Sequence, residues 1–265
     1  MLALVGASIF SFIAEPAFSQ ASVPEGPNAW SLINIPALND DNKVYAVRRS
    51  GALLLAGTQS QGMFLSTDSG ASWQAIAPFN TAYVRDLWIN NSTLLAATFG
   101  SGLLRSTDGG IIWGVVGNAI GTNLYYSLAS SDSMLFVGTA ERGVWRSADN
   151  GASWQATGVI DSPGAVALVA ASPSVVYAGS VNNGLYRTIN GGDSWQQIGF
   201  AGKTVRAIAL DPNQPLVIWV SVLGEGIYRS DNSGGSWTAF NTGLNGTTVL
   251  ALLAVSANGT TQMLA

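Results

Sequence analysis

The chain has 265 residues, of which 48% are hydrophobic and only 10% charged, with 31 glycines and a net charge of −4. That mix suits many short, well-buried strands joined by tight turns, and the basic residues are scattered without a run, which argues against a nucleic-acid or anionic-membrane surface. Without cysteine there is no disulfide, thiolate nucleophile or cysteine metal site, and without histidine a Ser-His-Asp mechanism, a histidine general base and a zinc hydrolase centre are excluded. Carboxylates, tyrosines, arginines and lysines remain for chemistry, and no cofactor or metal is expected.

In chain order, the first element is an apolar stretch from Leu2 to Ala14, of signal-peptide length and too short to span a bilayer comfortably. Pro16 and small residues follow, with Ser19 and Ala21 at the −3 and −1 positions of a cleavage site. The segment lacks a basic n-region, since the first Lys or Arg is Lys43. Residues 1–21 are therefore read as a cleaved signal peptide of atypical start, and the mature chain as exported to the periplasm or the extracellular space without a membrane anchor.

The remainder is a repeat. The segments STDSGASW, STDGGIIW, SADNGASW, TINGGDSW and SDNSGGSW end at Trp73, Trp113, Trp154, Trp195 and Trp237, spaced by 40, 41, 41 and 42 residues. A four-stranded propeller blade has this period. The phase extends beyond the box. A glycine stands four residues before each (Gly62, Gly102, Gly143, Gly184, Gly226), and a small residue five before that (Gly57, Ala97, Gly138, Gly179, Ser221). Arg105, Arg146, Arg187 and Arg229 immediately precede four of the five boxes. Each unit predicts four strands; in the third these are LYYSLAS, MLFVGT, GVWRS and SWQAT, with the first two buried on both faces and the fourth at the polar rim.

The five segments resemble the Asp-box, or bacterial neuraminidase, repeat S-x-D-x-G-x-[ST]-W. That repeat occurs in sialidases, xyloglucan-degrading glycosidases, sortilin-type receptors and photosystem II assembly factors. The resemblance covers about Val44 to Phe240 and implies an all-β propeller of four-stranded antiparallel blades, in which each box forms the hairpin between strands three and four. Asp68, Asp108 and Asp149 then accept hydrogen bonds from turn amides, and the box glycines supply positive φ. Each tryptophan packs between blades. Asn190 and Asn232 replace the aspartate and keep a side-chain oxygen, whereas Ile112 replaces a Ser/Thr and loses one bond. A feature repeated five times around a ring is architecture, so these residues are structural rather than catalytic or calcium-binding.

Trp30 lies about one period before Trp73 with no box before it, as an outer strand closing the last blade would. At the other end, TTVLALLAVS and TQMLA begin a sixth unit. The expectation is five full blades and a partial sixth over residues 22–265, incomplete at the C-terminus and part of a six- or seven-bladed ring. The protein is expected to be monomeric.

Successive hairpins of an antiparallel blade point to opposite ends, so the loops opposite the boxes read QSQ, FGS, AER, VNN and LGE, with Glu141, Arg142 and Glu225 their only charges. Interblade connections on that face add Tyr83, Arg85, Asp86, Asp161, Lys203 and Arg206. These positions vary while the scaffold does not, so binding is placed at Tyr83, Arg85, Glu141, Arg142, Arg206 and Glu225. The Arg-Ile-Pro motif of sialidases is absent, its nearest match being Ile35-Pro36 after asparagine. The acidic signature of xyloglucanases is missing too. A non-catalytic binding propeller for a glycan or protein is the first reading. The second is a glycoside hydrolase fragment, with Glu141, Glu225 and Asp86 as its weak catalytic candidates. Asn-x-Ser/Thr matches at Asn90, Asn91, Asn245 and Asn258 are short enough to be accidental.

Overall fold

The computed structural model describes residues 43–265 except 78, 80, 81, 133, 159–163, 245 and 258. The signal segment, Trp30, Ile35-Pro36, Asp161, Asn245 and Asn258 lie outside the described residues. Five four-stranded antiparallel sheets follow one another along the chain, each ordered as a simple meander, and a two-stranded sheet follows the fifth. Their innermost strands are Val44–Ser50, Tyr83–Asn90, Tyr125–Ser131, Ala165–Ala170 and Val205–Leu210. The last sheet pairs Leu253–Ala257 with Thr260–Leu264. The sole helical element among the described residues is a 3-10 turn at Asn118–Ile120, and no described helix is long and apolar enough to cross a membrane.

The meander follows from the repeat. Within each unit an apolar second strand is flanked by partners on both edges and is almost wholly buried, as in Leu53–Thr58 and Met134–Thr139. The fourth strand is two to four residues long and exposed or half-exposed, so it tolerates the polar sequence Gln74–Ala75 or Gln155–Ala156. The innermost strands depart from the expected two-faced burial: Val205–Leu210 alternates buried with half-buried residues, because one side faces the ring centre.

The core lies between blades. Leu55 and Met63 of the first blade pack with Leu87, Leu94 and Leu104 of the second, and Leu95 and Leu103 of the second with Leu128, Leu135 and Trp154 of the third. Phe136 of the third blade packs with Val176 and Tyr186 of the fourth, and Tyr177 and Leu185 of the fourth with Ile218 and Val220 of the fifth. The recurring small residue of the second strand has its explanation here. A Cβ on Gly138 would stand 2.3 Å from the Ala165 carbonyl oxygen, and one on Gly179 2.6 Å from that of Val205. At both positions the second strand passes directly against the first strand of the next blade.

The box is a hydrogen-bonded unit centred on its first residue. Ser147 Oγ donates to Asp149 Oδ1 (2.7 Å) and accepts from the Gly151 amide (2.9 Å), which is buried. Asp149 then accepts from the Ser153 amide (2.9 Å) and hydroxyl (2.5 Å). Gly151 sits at φ 77°, where a side chain would be strained and would meet Leu95. The same contacts recur around Ser66 and Asp68, and around Thr188 and Asn190 or Ser230 and Asn232, where the amide oxygen takes the place of the carboxylate. In the second box the Ile112 amide still reaches Asp108 (2.9 Å), and the hydroxyl contact is the one lost. Trp154 is the buried tryptophan of the set, 6% exposed; the other four are only partly buried at the blade junctions.

The arginines before the boxes act between blades. Arg105 Nε donates to the Asn150 carbonyl (2.9 Å), Arg146 to Gly191 (2.8 Å) and Arg187 to Ser233 (2.9 Å), each reaching the next box turn. Leu65 holds the equivalent place in the first blade and lies against Gly110 of the next box.

Candidate functional site

All five innermost strands carry a β-bulge near their starts. Their pairings skip one residue each time: Tyr45, Arg85, Tyr126, Val166 and Arg206. A bulge inserts one residue on one strand and re-aims its side chain. The innermost strands of successive blades pack against one another around the ring centre. Because each starts at the end opposite the boxes, the five bulged residues gather at that mouth of the central channel.

There they form a cationic and aromatic cluster. The Arg85 guanidinium lies over the rings of Tyr45, Tyr83 and Tyr126, 4.9, 5.2 and 5.2 Å from their centroids, and donates to the Tyr83 hydroxyl at 2.6 Å. Such stacking on a ring face is favourable for a cation. Tyr45, Tyr83, Phe99 and Tyr126 continue as an arc with centroid spacings of 5.2, 6.0 and 5.5 Å. Arg206 joins from the fifth blade. Burial and the charge of Arg85 pull its pKa down, while the Tyr126, Tyr83 and Tyr45 hydroxyls oppose that shift. Burial, then the hydrogen bond to Tyr83, raises the Tyr45 hydroxyl.

Asp86 neighbours this cluster in sequence yet is withdrawn from it. It is 3% exposed, and its Oδ1 takes the Arg48 guanidinium (2.6 Å) and the Leu87 amide (2.8 Å) while Oδ2 takes the Leu128 amide (2.8 Å). One carboxylate thus ties together the innermost strands of three successive blades. Burial pushes its pKa up against the pull of Arg48 and the two amides. Both of its oxygens are engaged, and it occupies a strand interior rather than an interblade connection.

The other sequence-selected residues separate into two groups. Tyr83, Arg85 and Arg206 come together, on strands and not on loops. Glu141, Arg142 and Glu225 stand on the hairpin loops further out. Glu141 and Arg142 are exposed, and the Arg142 amide donates to Thr139 Oγ1 at 2.8 Å. Glu225 pairs with Lys203 and accepts from Tyr228 Oη at 3.2 Å. Lys203 holds its carboxyl below the ordinary range. Among the described residues no group of three acidic side chains gathers as a metal site would require. A cavity of about 170 Å³ is lined by Val115, Val116, Asn118, Asn123 and Tyr125.

Sequence reasoning missed Tyr45, Phe99 and Tyr126. Two of these are bulge residues, and Phe99 reaches the cluster by pairing with Tyr83 across its blade.

No family model matches the chain, and no curated protein matches it in sequence. Solved structures do resemble it. It superposes on the extracellular domain of BT4673 from B. thetaiotaomicron with a TM-score of 0.69 at 16% identity, covering 86% of this chain and 33% of that one. For an ancestral GH74 enzyme the TM-score is 0.63 at 21% identity, with 77% and 32% covered. For YCF48 from Cyanidioschyzon merolae it is 0.58 at 15%, with 82% and 76% covered. The chain spans about a third of the length of the first two. Likeness at these identities carries the fold and not the chemistry. By architecture the chain is a β-propeller.

Proposed function

We propose that the chain is an exported, non-catalytic binding module of the Asp-box kind that recognises a polar partner, glycan or protein, through the propeller face opposite the boxes. One observation carries the reading: the channel mouth on that face offers two arginines and four aromatic rings, while the single carboxylate of the innermost strands, Asp86, is buried and bound three ways. Glycoside hydrolysis uses two carboxyl groups, about 5–9.5 Å apart, of which the general acid needs a raised pKa. Glu225 has the opposite shift, under the charge of Lys203, and Asp86 is locked away from solvent. The apolar Leu2–Ala14 segment supports export, and the extracellular domain of BT4673 offers a precedent for this fold outside the cell.

The test is a turnover assay on neutral, acidic and sialylated oligosaccharides, run beside binding measurements on the same panel. Binding without turnover is expected, and charge reversal at Arg142 and Glu225 should weaken it while stability stays within about 0.5 kcal/mol. Hydrolysis that disappears in Glu141→Gln or Glu225→Gln would overturn the non-catalytic reading, and a ligand mapped to the boxes would overturn the face.

A further inference from the structure

We propose that the channel mouth seats the acidic group, carboxylate or sulfate ester, of an anionic glycan, with Arg85 and Arg206 as its anchors. This deepens the preceding reading and rests on it.

The first argument is uncompensated charge. Arg48, Arg146, Arg229 and Lys203 each face a carboxylate within ion-pair distance. Among the described residues Arg85 and Arg206 have none. Arg105 and Arg187 also lack one, but box carbonyls hold them, whereas Arg206 stands where it feels the charge of Arg85 and the Asp86 carboxylate next to Arg85 is engaged by Arg48. A guanidinium is cationic at any physiological pH, so the fold brings two like charges together in a partly desolvated mouth. Like charges repel more strongly as water is excluded, and that repulsion turns into attraction once an anion sits between them. The arrangement recurs from nothing in the blade. The equivalent bulge positions hold tyrosine in the first and third blades and valine in the fourth.

The second argument is the shape of the donors. Arg85 packs over the rings of Tyr45, Tyr83 and Tyr126, and among the described residues no carboxylate lies within ion-pair distance of its N–H groups. One of them is taken by Tyr83 Oη. Arg206 makes no hydrogen bond among the described residues, which leaves a planar fork suited to two oxygens of one carboxylate or sulfate.

The third argument selects a sugar over a peptide. Beside the cations runs the aromatic arc Tyr45–Tyr83–Phe99–Tyr126, with Phe99 36% exposed. Ring faces of this kind pack against the C–H face of a pyranose. The loops around the mouth are rich in neutral hydroxyl and amide groups, such as Ser101, Asn182 and Asn183, which match a hydroxyl-rich ligand. An acidic peptide would call instead for further cations along its length, and the net charge of −4 opposes a long polyanion.

Calorimetric titration of the full chain with oligogalacturonate, a sulfated oligosaccharide, a neutral xyloglucan oligosaccharide and an oligoglutamate peptide tests this. Binding of the oligogalacturonate, the sulfated sugar or both is expected, and whichever binds identifies the anion. Arg206→Gln should weaken it by about tenfold or more, the loss of one charge-assisted contact. Arg49→Gln, at the far end of the first innermost strand, should leave it unchanged. Arg85→Lys retains the charge but not the fork, and should weaken binding even if Arg206→Gln fails to fold. Equal affinity for the neutral sugar, an Arg206→Gln titration superposable on the parent, or binding of the peptide alone would overturn the anion seat while leaving the binding face standing. Binding of none of the four ligands overturns the seat as well. Turnover, or a site at the boxes, would bring down the underlying reading itself.

Discussion

The two ends of each blade are held by opposite means. At the box end the contacts that shape each turn are local: Ser147, Asp149, Gly151 and Ser153 close one loop within seven residues, the pattern occurs five times with small substitutions, and the same arginine position links one box to the next. At the channel mouth the contacts join residues far apart in sequence. Arg85 meets Tyr45 and Tyr126 across three blades, and no two neighbouring blades bring the same residue. Local and repeated satisfaction is what a scaffold needs to assemble blade after blade. Convergence of unlike groups contributes nothing that the blade requires, and that is where selectivity can reside.

Removing a box tryptophan should break the first of these regions hardest. Trp154→Ala empties a buried site against Leu95 and Leu135 and is expected to cost about 3–5 kcal/mol, read as a fall in the urea midpoint. Ligand affinity of the folded protein should be untouched. A binding defect at unchanged stability would mean that the box is more than scaffold.

A smaller loss is expected from Ser147→Ala. It leaves the buried Gly151 amide without its acceptor and unties Asp149 from the turn, at a cost of about 1–3 kcal/mol. Thermal unfolding checks it, and a neutral result would place the weight of the box on the aspartate alone.

The box end was legible in the sequence because its physics is local. A period of 40 to 42 residues, a serine or threonine, an aspartate, a glycine and a tryptophan at fixed offsets specify one hairpin, and the small residue before each box marks the close approach now seen at Gly138 and Gly179. The first residue of the box was visible, but its part in linking the carboxylate to the glycine amide was not. The channel mouth was half legible. Tyr83, Arg85 and Arg206 stood out as charged or aromatic breaks in the repeat, and were read as loop residues. A bulge is a feature of pairing register and has no composition of its own. Its offset to the next small residue also drifts, being 12 in the first three units, then 13 and 15, because the turn between the first two strands lengthens. That drift hid the equivalence of Val166 and Arg206 with Tyr45, Arg85 and Tyr126. Asp86 misled for a related reason. A carboxylate beside variable positions resembles a functional group until Arg48 and the Leu128 amide, each about one repeat away, are seen to hold it.

The smallest expected effect distinguishes the boxes from one another. Hydrogen bonds from the Ser72 hydroxyl and amide lower Asp68 to about 2, and those from Ser153 do the same for Asp149, whereas Asn190 and Asn232 do not titrate. A carboxylate depressed in the folded state stabilises it above the unfolded pKa of about 4, and loses that contribution as pH falls towards about 2. Both groups are exposed, so screening keeps the effect modest. Acid unfolding followed by circular dichroism should therefore show a shallower pH dependence in a variant carrying Asp68→Asn and Asp149→Asn. An unchanged slope would remove these boxes from the acid response.

The comparison of the two ends meets its most direct test in hydroxyl-radical footprinting of the intact chain with and without an acidic oligosaccharide. Protection of Tyr45, Tyr83, Phe99 and Tyr126 is expected, with the box tryptophans Trp73, Trp113, Trp195 and Trp237 labelled as before. Protection of those tryptophans while the four channel rings stay open to labelling would contradict the account.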